Sequence, residues 1–157
     1  MNKLELVAQL VRQLQASARA ALSARDAVAA EARDGATPDE KREDARAAHQ
    51  QGTLGKAQQR RAQQALAEVD AVAQWKPAAM AKIAVGAIVE IEDTDNGEGR
   101  TLFVAPVGAG ITLTGPGGDG ILSVITPASP VGAAVLGKKL GDVVEIAERE
   151  WQISYVA

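Results

Sequence analysis

The sequence has 157 residues and lacks cysteine, and it is poor in aromatic residues and histidine. The absence of cysteine excludes disulfides, a thiol nucleophile and thiolate zinc sites. Aromatic residues make up 3% of the chain, and its single histidine, His49, has no obvious ligand partners. No run approaches the roughly 20 apolar residues that a transmembrane helix needs. The first residues read as an amphipathic helix rather than a signal peptide. We therefore expect a soluble, cytoplasmic protein without membrane contact.

The charge is small overall but unevenly distributed. The net charge of −3 does not indicate a chain that binds nucleic acid through bulk charge. Residues 1–76 hold 12 Lys/Arg and 10 Asp/Glu, a net of +2, whereas residues 77–157 hold 5 and 10, a net of −5. Because their net charges differ in sign, the two parts are expected to contact different surfaces of their partners. We predict a domain boundary between residues 76 and 77.

The first part has the pattern of a helical hairpin. Apolar or small residues, with the exception of Arg25, recur at alternating spacings of three and four, which is a heptad seam: Leu4, Val7, Val11, Leu14, Ala18, Ala21, Arg25, Val28 and Ala32. Gly and Pro interrupt the pattern in 35–38, and a second helical stretch with a weaker seam follows over 39–74. Two long helices joined by a short turn predict an antiparallel coiled-coil hairpin with its tip near 35–44. Pairing of each helix with another chain is the alternative.

The second part has the pattern of a small β domain. Short apolar runs separated by Gly- and Asp-rich turns predict five or six strands. Between the last strands, Ser129 is a good helix N-cap and Pro130 suits the first helical position. Gly137 is suited to end this short helix, and Gly141-Asp142 to turn into the next strand. The fold class is therefore α+β, with a helical hairpin at 1–76 and a β domain with one short helix at 77–157.

Two strings in the β domain resemble the bacterial Gre transcript cleavage factors (GreA/GreB). The string TPASPVGAAVLGKKLGDVVE at 126–145 resembles a run in the C-terminal domain of that family, and GAIVEIEDTDNGE at 86–98 resembles the start of the same domain. The resemblance implies an FKBP-like fold for this domain and docking on bacterial RNA polymerase. The residues that it implies for polymerase binding are Ser129, Pro130, Gly132, Gly137, Lys138, Gly141 and Asp142.

The resemblance also implies a role for the hairpin tip. In the Gre family the hairpin enters the secondary channel of the polymerase, where tip carboxylates help to hold the second catalytic Mg²⁺. Carboxylate oxygens are the ligands that this hard cation prefers. Asp39 and Glu40 are the implied tip ligands, with Glu43 and Asp44 beside them, acting only within the polymerase complex. The protein itself would be no enzyme, would carry no cofactor of its own and would touch the RNA 3′ end only indirectly.

The tip departs from the family at one position, and other interpretations stay open. Thr37 stands where the family has its first tip aspartate, so a factor that occupies the channel without stimulating cleavage is the alternative function. Residues 37–40 also fit a helix capping box, which needs no metal. An FKBP-like domain admits a prolyl isomerase, which would need an aromatic pocket from Phe103, Trp151 and Tyr155. A dimerising coiled-coil adaptor is a further alternative, although we expect a monomer.

Overall fold

The computed structural model describes residues 3–34, 44–78, 80–118 and 120–157, without the side chains of 32–34, 44–51 and 116. The chain forms two compact units. One unit joins Met1–Gln13 to Ala71–Ala157, and the other is Leu14–Asp70. The first residues of the chain thus belong to the same unit as the sheet. Whether the domain boundary lies between residues 76 and 77 stays a prediction.

Two long helices form the predicted N-terminal hairpin. Helix α1 is Lys3–Asp34 and helix α2 is Asp44–Ala73. Neither glycine nor proline interrupts α1, whose 32 residues correspond to about 48 Å at about 1.5 Å per residue. Within the second unit a Cβ built on Gly55 would lie 3.9 Å from Val28 Cγ1, so a small residue at this position suits the helix contact. No helix in the described residues is long and apolar enough to cross a membrane.

The buried side of α1 differs from the predicted seam at the start of the helix. Leu4, predicted in the seam, is 61% exposed, whereas Leu6 and Leu10 are fully buried. Further along, Leu14 and Ala18 are buried as the heptad pattern predicts. The difference arises because the first turns of α1 belong to the unit that contains the sheet, whose apolar surface selects another side of the helix.

The first unit contains a six-stranded sheet. The strand order is β3-β4-β2-β1-β6-β5, and all neighbours are antiparallel except β2 and β4, which are parallel. The sheet and its one short α-helix confirm the predicted β domain. The strands are β1 Ile88–Asp93, β2 Gly99–Val104, β3 Thr112–Thr114, β4 Ile121–Ile125, β5 Val143–Ile146 and β6 Arg149–Val156, and the short helix is α3 Pro130–Val135.

The sheet is covered on both faces, as the alternation of side chains along a strand allows. One face carries an apolar core cluster with Leu102, Val104, Trp151 and residues of α3. The opposite face carries Phe103, which is fully buried and whose ring centroid lies 5.7 Å from that of Trp75 just after α2. The two ends of the hairpin sequence therefore lie in the unit with the sheet.

Helix α1 also covers the free edge of the sheet at β3. Gln9 Nε2 donates to Thr114 O over 2.9 Å, and Thr114 N donates to Gln9 Oε1 over 2.9 Å. One turn further, Gln13 Nε2 donates to Thr112 O over 2.8 Å. These side-chain amides supply the hydrogen bonds that a further strand would otherwise make with β3.

Candidate functional site

The segment 126–146, which we name the α3–β5 corner, contains all the residues predicted to bind polymerase. It begins with the helix cap that the sequence predicts. Ser129 Oγ accepts a hydrogen bond from Gly132 N over 3.1 Å and donates to Thr126 O over 2.7 Å. Pro130 occupies the first position of α3, where it has no N–H left unpaired. These two residues therefore fix where α3 begins.

Gly132 allows α3 to lie directly against the preceding loop. A Cβ at this position would overlap the Thr126 carbonyl oxygen and lie 2.9 Å from Ser129 Oγ. Glycine is thus required by close backbone contact, and Gly132 is itself buried. Its position in the motif is explained by packing, without any contact to a partner.

The residues after α3 join the corner to two other segments. Gly137 has φ +76°, the left-handed conformation that ends many helices, and its N–H donates to Ile83 O over 2.7 Å. Ile83 N donates in return to Lys138 O over 2.9 Å. Gly141, with φ +88°, donates to Ile153 O over 2.8 Å. Asp142 Oδ2 accepts from Lys139 N over 2.9 Å and closes the turn.

The outer surface of the corner combines two exposed apolar side chains with two lysines. Leu140 is 65% exposed and Val143 is 49% exposed. Lys138 and Lys139 are exposed beside them in the sequence. An apolar patch with a polar rim is typical of a protein-binding surface. The sequence-based prediction did not include Leu140 or Val143. The Gly-Lys-Lys-Leu-Gly-Asp turn is a sequence signal for the exposure of Leu140 but not for that of Val143.

The predicted tip ligands lie mainly outside the described residues. Asp39, Glu40 and Glu43 belong to the undescribed segment 35–43, and Asp44 is the first residue of α2, without a described side chain. In the described part of the chain, no group of three or more His, Cys, Asp or Glu residues is placed to hold a metal ion. The metal-binding role of the tip therefore stays a prediction.

The second string of the resemblance contains a buried carboxylate that organises the β1–β2 hairpin. Asp93 is 2% exposed, and its Oδ1 accepts from Asp95 N over 2.9 Å and from Asn96 N over 3.3 Å. Its Oδ2 accepts from Arg149 Nη1 over 3.3 Å. The Asp95 amide, the Asn96 amide and Arg149 lower the pKa of Asp93, and burial only partly opposes them. Asp93 is therefore a structural anion that joins this hairpin to β6.

The aromatic residues considered for a proline pocket do not converge. Phe103 is fully buried, and Trp151 is 2% exposed. Their strand positions place them on opposite faces of the sheet, because Phe103 alternates with Leu102, which shares the core cluster with Trp151. These two rings fill the cores of two faces and cannot line one pocket together.

Comparisons with known proteins identify relatives of the β domain. The family model described as "Transcription elongation factor, GreA/GreB, C-term" matches residues 78–156. Transcription elongation factor GreA of Nitratidesulfovibrio vulgaris is 39% identical over 75 residues. That match covers 47% of this chain and 41% of the relative, so it spans about two fifths of the curated relative's length.

Alignments with solved structures of Gre homologues extend over most of the chain, at low identity and low TM-score. The GreA factor homolog 1 (Gfh1) of Thermus thermophilus is 20% identical, with a TM-score of 0.37, over 96% of this chain and 94% of the other. Gfh1 of Thermus aquaticus is 17% identical, with a TM-score of 0.36, over 98% of this chain and 93% of the other. The assignment to a family rests instead on the match over 78–156, which covers half of the chain and the whole sheet. The chain belongs to the GreA/GreB family of transcription elongation factors.

Proposed function

We propose that this protein binds bacterial RNA polymerase and acts on transcription elongation as a Gre-type factor. The observation that carries the proposal is the family match over 78–156, which includes the whole α3–β5 corner. The N-terminal hairpin, with helices of 32 and 30 residues, supports it because it is the second part that the Gre layout requires. The protein lends groups to the polymerase and catalyses no reaction alone.

The α3–β5 corner is the proposed contact with the polymerase. Its backbone is held by hydrogen bonds to Ile83 and Ile153, so it presents a fixed surface. Leu140 and Val143 supply exposed apolar area, and the neighbouring lysines add positive charge. An apolar centre with a charged rim suits association with another protein, because the centre loses water and the rim selects the partner.

The tip of the hairpin is the proposed active part within the secondary channel. Asp39 and Glu40 would lend carboxylate oxygens to the second Mg²⁺ of the polymerase, and Glu43 and Asp44 would increase the negative potential around it. A second metal ion stabilises the attacking oxygen during hydrolysis of a phosphodiester. In this proposal the factor stimulates cleavage of backtracked transcripts, and the polymerase supplies the metal.

A channel-occupying factor that does not stimulate cleavage is the second candidate. Thr37 favours it, because the family has an aspartate at this position and a hydroxyl is a weaker Mg²⁺ ligand than a carboxylate. Asp39 lies two residues further along the chain. Such a factor would bind the same channel and would compete with cleavage factors.

RNA cleavage by stalled, backtracked bacterial RNA polymerase tests both candidates. The natural protein is compared with an Asp39→Ala/Glu40→Ala variant, with a Leu140→Asp variant and with a Leu66→Asp control. Leu66 is 45% exposed on α2 and lies outside the corner and the tip. We expect cleavage to accelerate with the natural protein and with the control. The tip variant should bind polymerase without accelerating cleavage, and Leu140→Asp should bind more weakly.

Other outcomes of this assay separate the candidates. Inhibition of cleavage by an authentic Gre factor, without acceleration by the natural protein, would support the channel-occupying function. Failure of the natural protein to bind polymerase would contradict both candidates. Equal acceleration by the tip variant and the natural protein would show that Asp39 and Glu40 are not the ligands.

A further inference from the structure

An apolar groove at the base of the hairpin shares no lining residue with either proposed contact with polymerase. It has a volume of about 470 Å³ and is lined by one side of α1 and by the residues where α2 ends. All of its residues belong to the unit that contains the sheet. Its apolar lining residues include Leu4, Val7, Val11 and Trp75.

The groove exposes a heptad position that the protein itself leaves uncovered. Leu4, Val7 and Val11 follow the spacing of a helix-packing seam. Helix α2 ends at Ala73, and Leu4 is 61% exposed. Trp75 turns one side to Phe103, at 5.7 Å between ring centroids, and also lines the groove. Val7 is 8% exposed, so the apolar surface that another helix can cover at this end is chiefly that of Leu4, with the open side of Trp75.

Two cations lie among the residues that line the groove. Arg12 and Lys76 line it and are exposed. Neither has an ion pair with any residue in the described part of the chain. An acidic partner would neutralise both charges. A second copy docked through the same groove would instead bring like charges together, which disfavours self-association at this surface.

We propose that this groove binds an acidic amphipathic helix of a partner protein. Apolar side chains at positions i, i+3, i+4 and i+7 of that helix would cover Leu4 and Trp75. Its Asp and Glu side chains would pair with Arg12 and Lys76. Helix-in-groove recognition uses this spacing of anchors, and charges at the rim select the sign of the partner. This surface is independent of the proposed contacts with polymerase.

Peptide binding to the full-length protein tests the proposal in the absence of polymerase. The probe is a fluorescein-labelled helical peptide with leucine at i, i+3, i+4 and i+7 and glutamate on its flanks. A second peptide carries lysine in place of glutamate. A third has the composition of the first, but its leucines are moved to positions that do not share one face of a helix. Anisotropy is measured for the natural protein, Leu4→Glu and a Leu66→Glu control, which is also exposed but lies outside the groove.

We expect saturable binding of the first peptide and of neither the lysine peptide nor the scrambled peptide. Leu4→Glu should weaken binding by at least about tenfold, because it removes an apolar anchor and adds a repelling charge. Leu66→Glu should leave binding unchanged. An Arg12→Glu/Lys76→Glu variant should reverse the preference and bind the lysine peptide better than the glutamate peptide.

Three results would overturn the proposal. The first is the absence of saturable binding of the acidic peptide to the natural protein. The second is equal binding by Leu4→Glu, which would place the contact elsewhere. The third is a concentration-dependent increase of the 16.3 kDa mass in light scattering that Leu4→Glu abolishes, since this would assign the groove to a second copy of the chain. None of these results depends on activity with polymerase.

Discussion

Gly132 is the residue of the α3–β5 corner at which an added side chain has least room. A Cβ would overlap Thr126 O and lie 2.8 Å from the Thr126 carbonyl carbon. The obstacle is backbone, so relief requires α3 to move. We predict that Gly132→Ala lowers the free energy of unfolding by about 1–3 kcal/mol, the usual range for overpacking. Urea unfolding followed by circular dichroism measures this change.

Gly99→Ala is the matched control for Gly132→Ala. Gly99 lies in the same sheet domain, nothing lies within 4 Å of its added Cβ, and its φ is not left-handed. Its substitution should change the free energy of unfolding by less than about 1 kcal/mol. Equal stability of Gly132→Ala and the natural protein would contradict the close backbone contact.

Asp93 makes stability depend on pH. Its pKa in the folded protein is lower than its usual value, chiefly because the Asp95 amide donates to it, with help from the Asn96 amide and Arg149. A lowered folded pKa stabilises the protein fully above the unfolded pKa of about 3.9, and this stabilisation is lost as pH falls through the folded value. We predict that Asp93→Asn is less stable than the natural protein at pH 7 and that the difference shrinks below about pH 4. Unfolding curves over a pH series measure this.

Asp95→Asn serves as the comparison for Asp93→Asn. The Asp95 side chain is exposed and makes none of the hydrogen bonds that Asp93 makes, although its backbone amide takes part in them. Its stability should follow that of the natural protein through the same pH series. A gap between the natural protein and Asp93→Asn that stays constant with pH would exclude the carboxylate charge as the cause.

At the scale of elements, the pairing of α1 with β3 is the least expected feature. Gln9 both donates to Thr114 O and accepts from Thr114 N. We predict that Gln9→Ala exposes the Thr114 amide to faster hydrogen exchange and lowers the free energy of unfolding by about 1 kcal/mol, the net value of a typical hydrogen bond. Exchange measured by NMR at Thr114 is the direct readout.

Gln15→Ala provides the control for the edge contact. Gln15 is exposed on α1 and makes no hydrogen bond to β3, so its substitution should leave exchange at Thr114 unchanged. Unchanged exchange at Thr114 in Gln9→Ala would mean that the amide is protected by something other than the side chain of α1.

At the scale of the whole molecule, the proposed contact surfaces differ in their charge and in their apolar residues. The corner offers Leu140 and Val143 beside two lysines, and the groove offers Leu4 and Trp75 with two further cations. The tip acids Asp39 and Glu40 carry the opposite charge. Under the proposals above, each surface would bind a different partner: the polymerase, an acidic helix and the second Mg²⁺ of the polymerase. The monomeric state stays a prediction, which the light-scattering measurement above also tests.

The sequence by itself determined the elements of this protein and its family. Heptad spacing predicts both helices, alternation and turn residues predict the strands, and Ser129-Pro130 fixes the start of α3. These features depend on neighbours a few residues apart, so a local pattern contains them. The motif at 126–145 likewise indicated the family through a contiguous string, which the match over 78–156 confirms.

Only the tertiary structure decided which surfaces are buried and which remain free. Leu6 and Leu10 are buried instead of Leu4, because the sheet lies beside the first turns of α1. Asp93 accepts a hydrogen bond from Arg149, which is 56 residues away in the sequence. Gln9 and Thr114 are hydrogen-bonded although they are 105 residues apart in the sequence. Such contacts are set by burial of apolar area and by pairing of exposed backbone groups between distant segments. No short-range period encodes them, so the groove and the edge contact with β3 could not be predicted from the sequence.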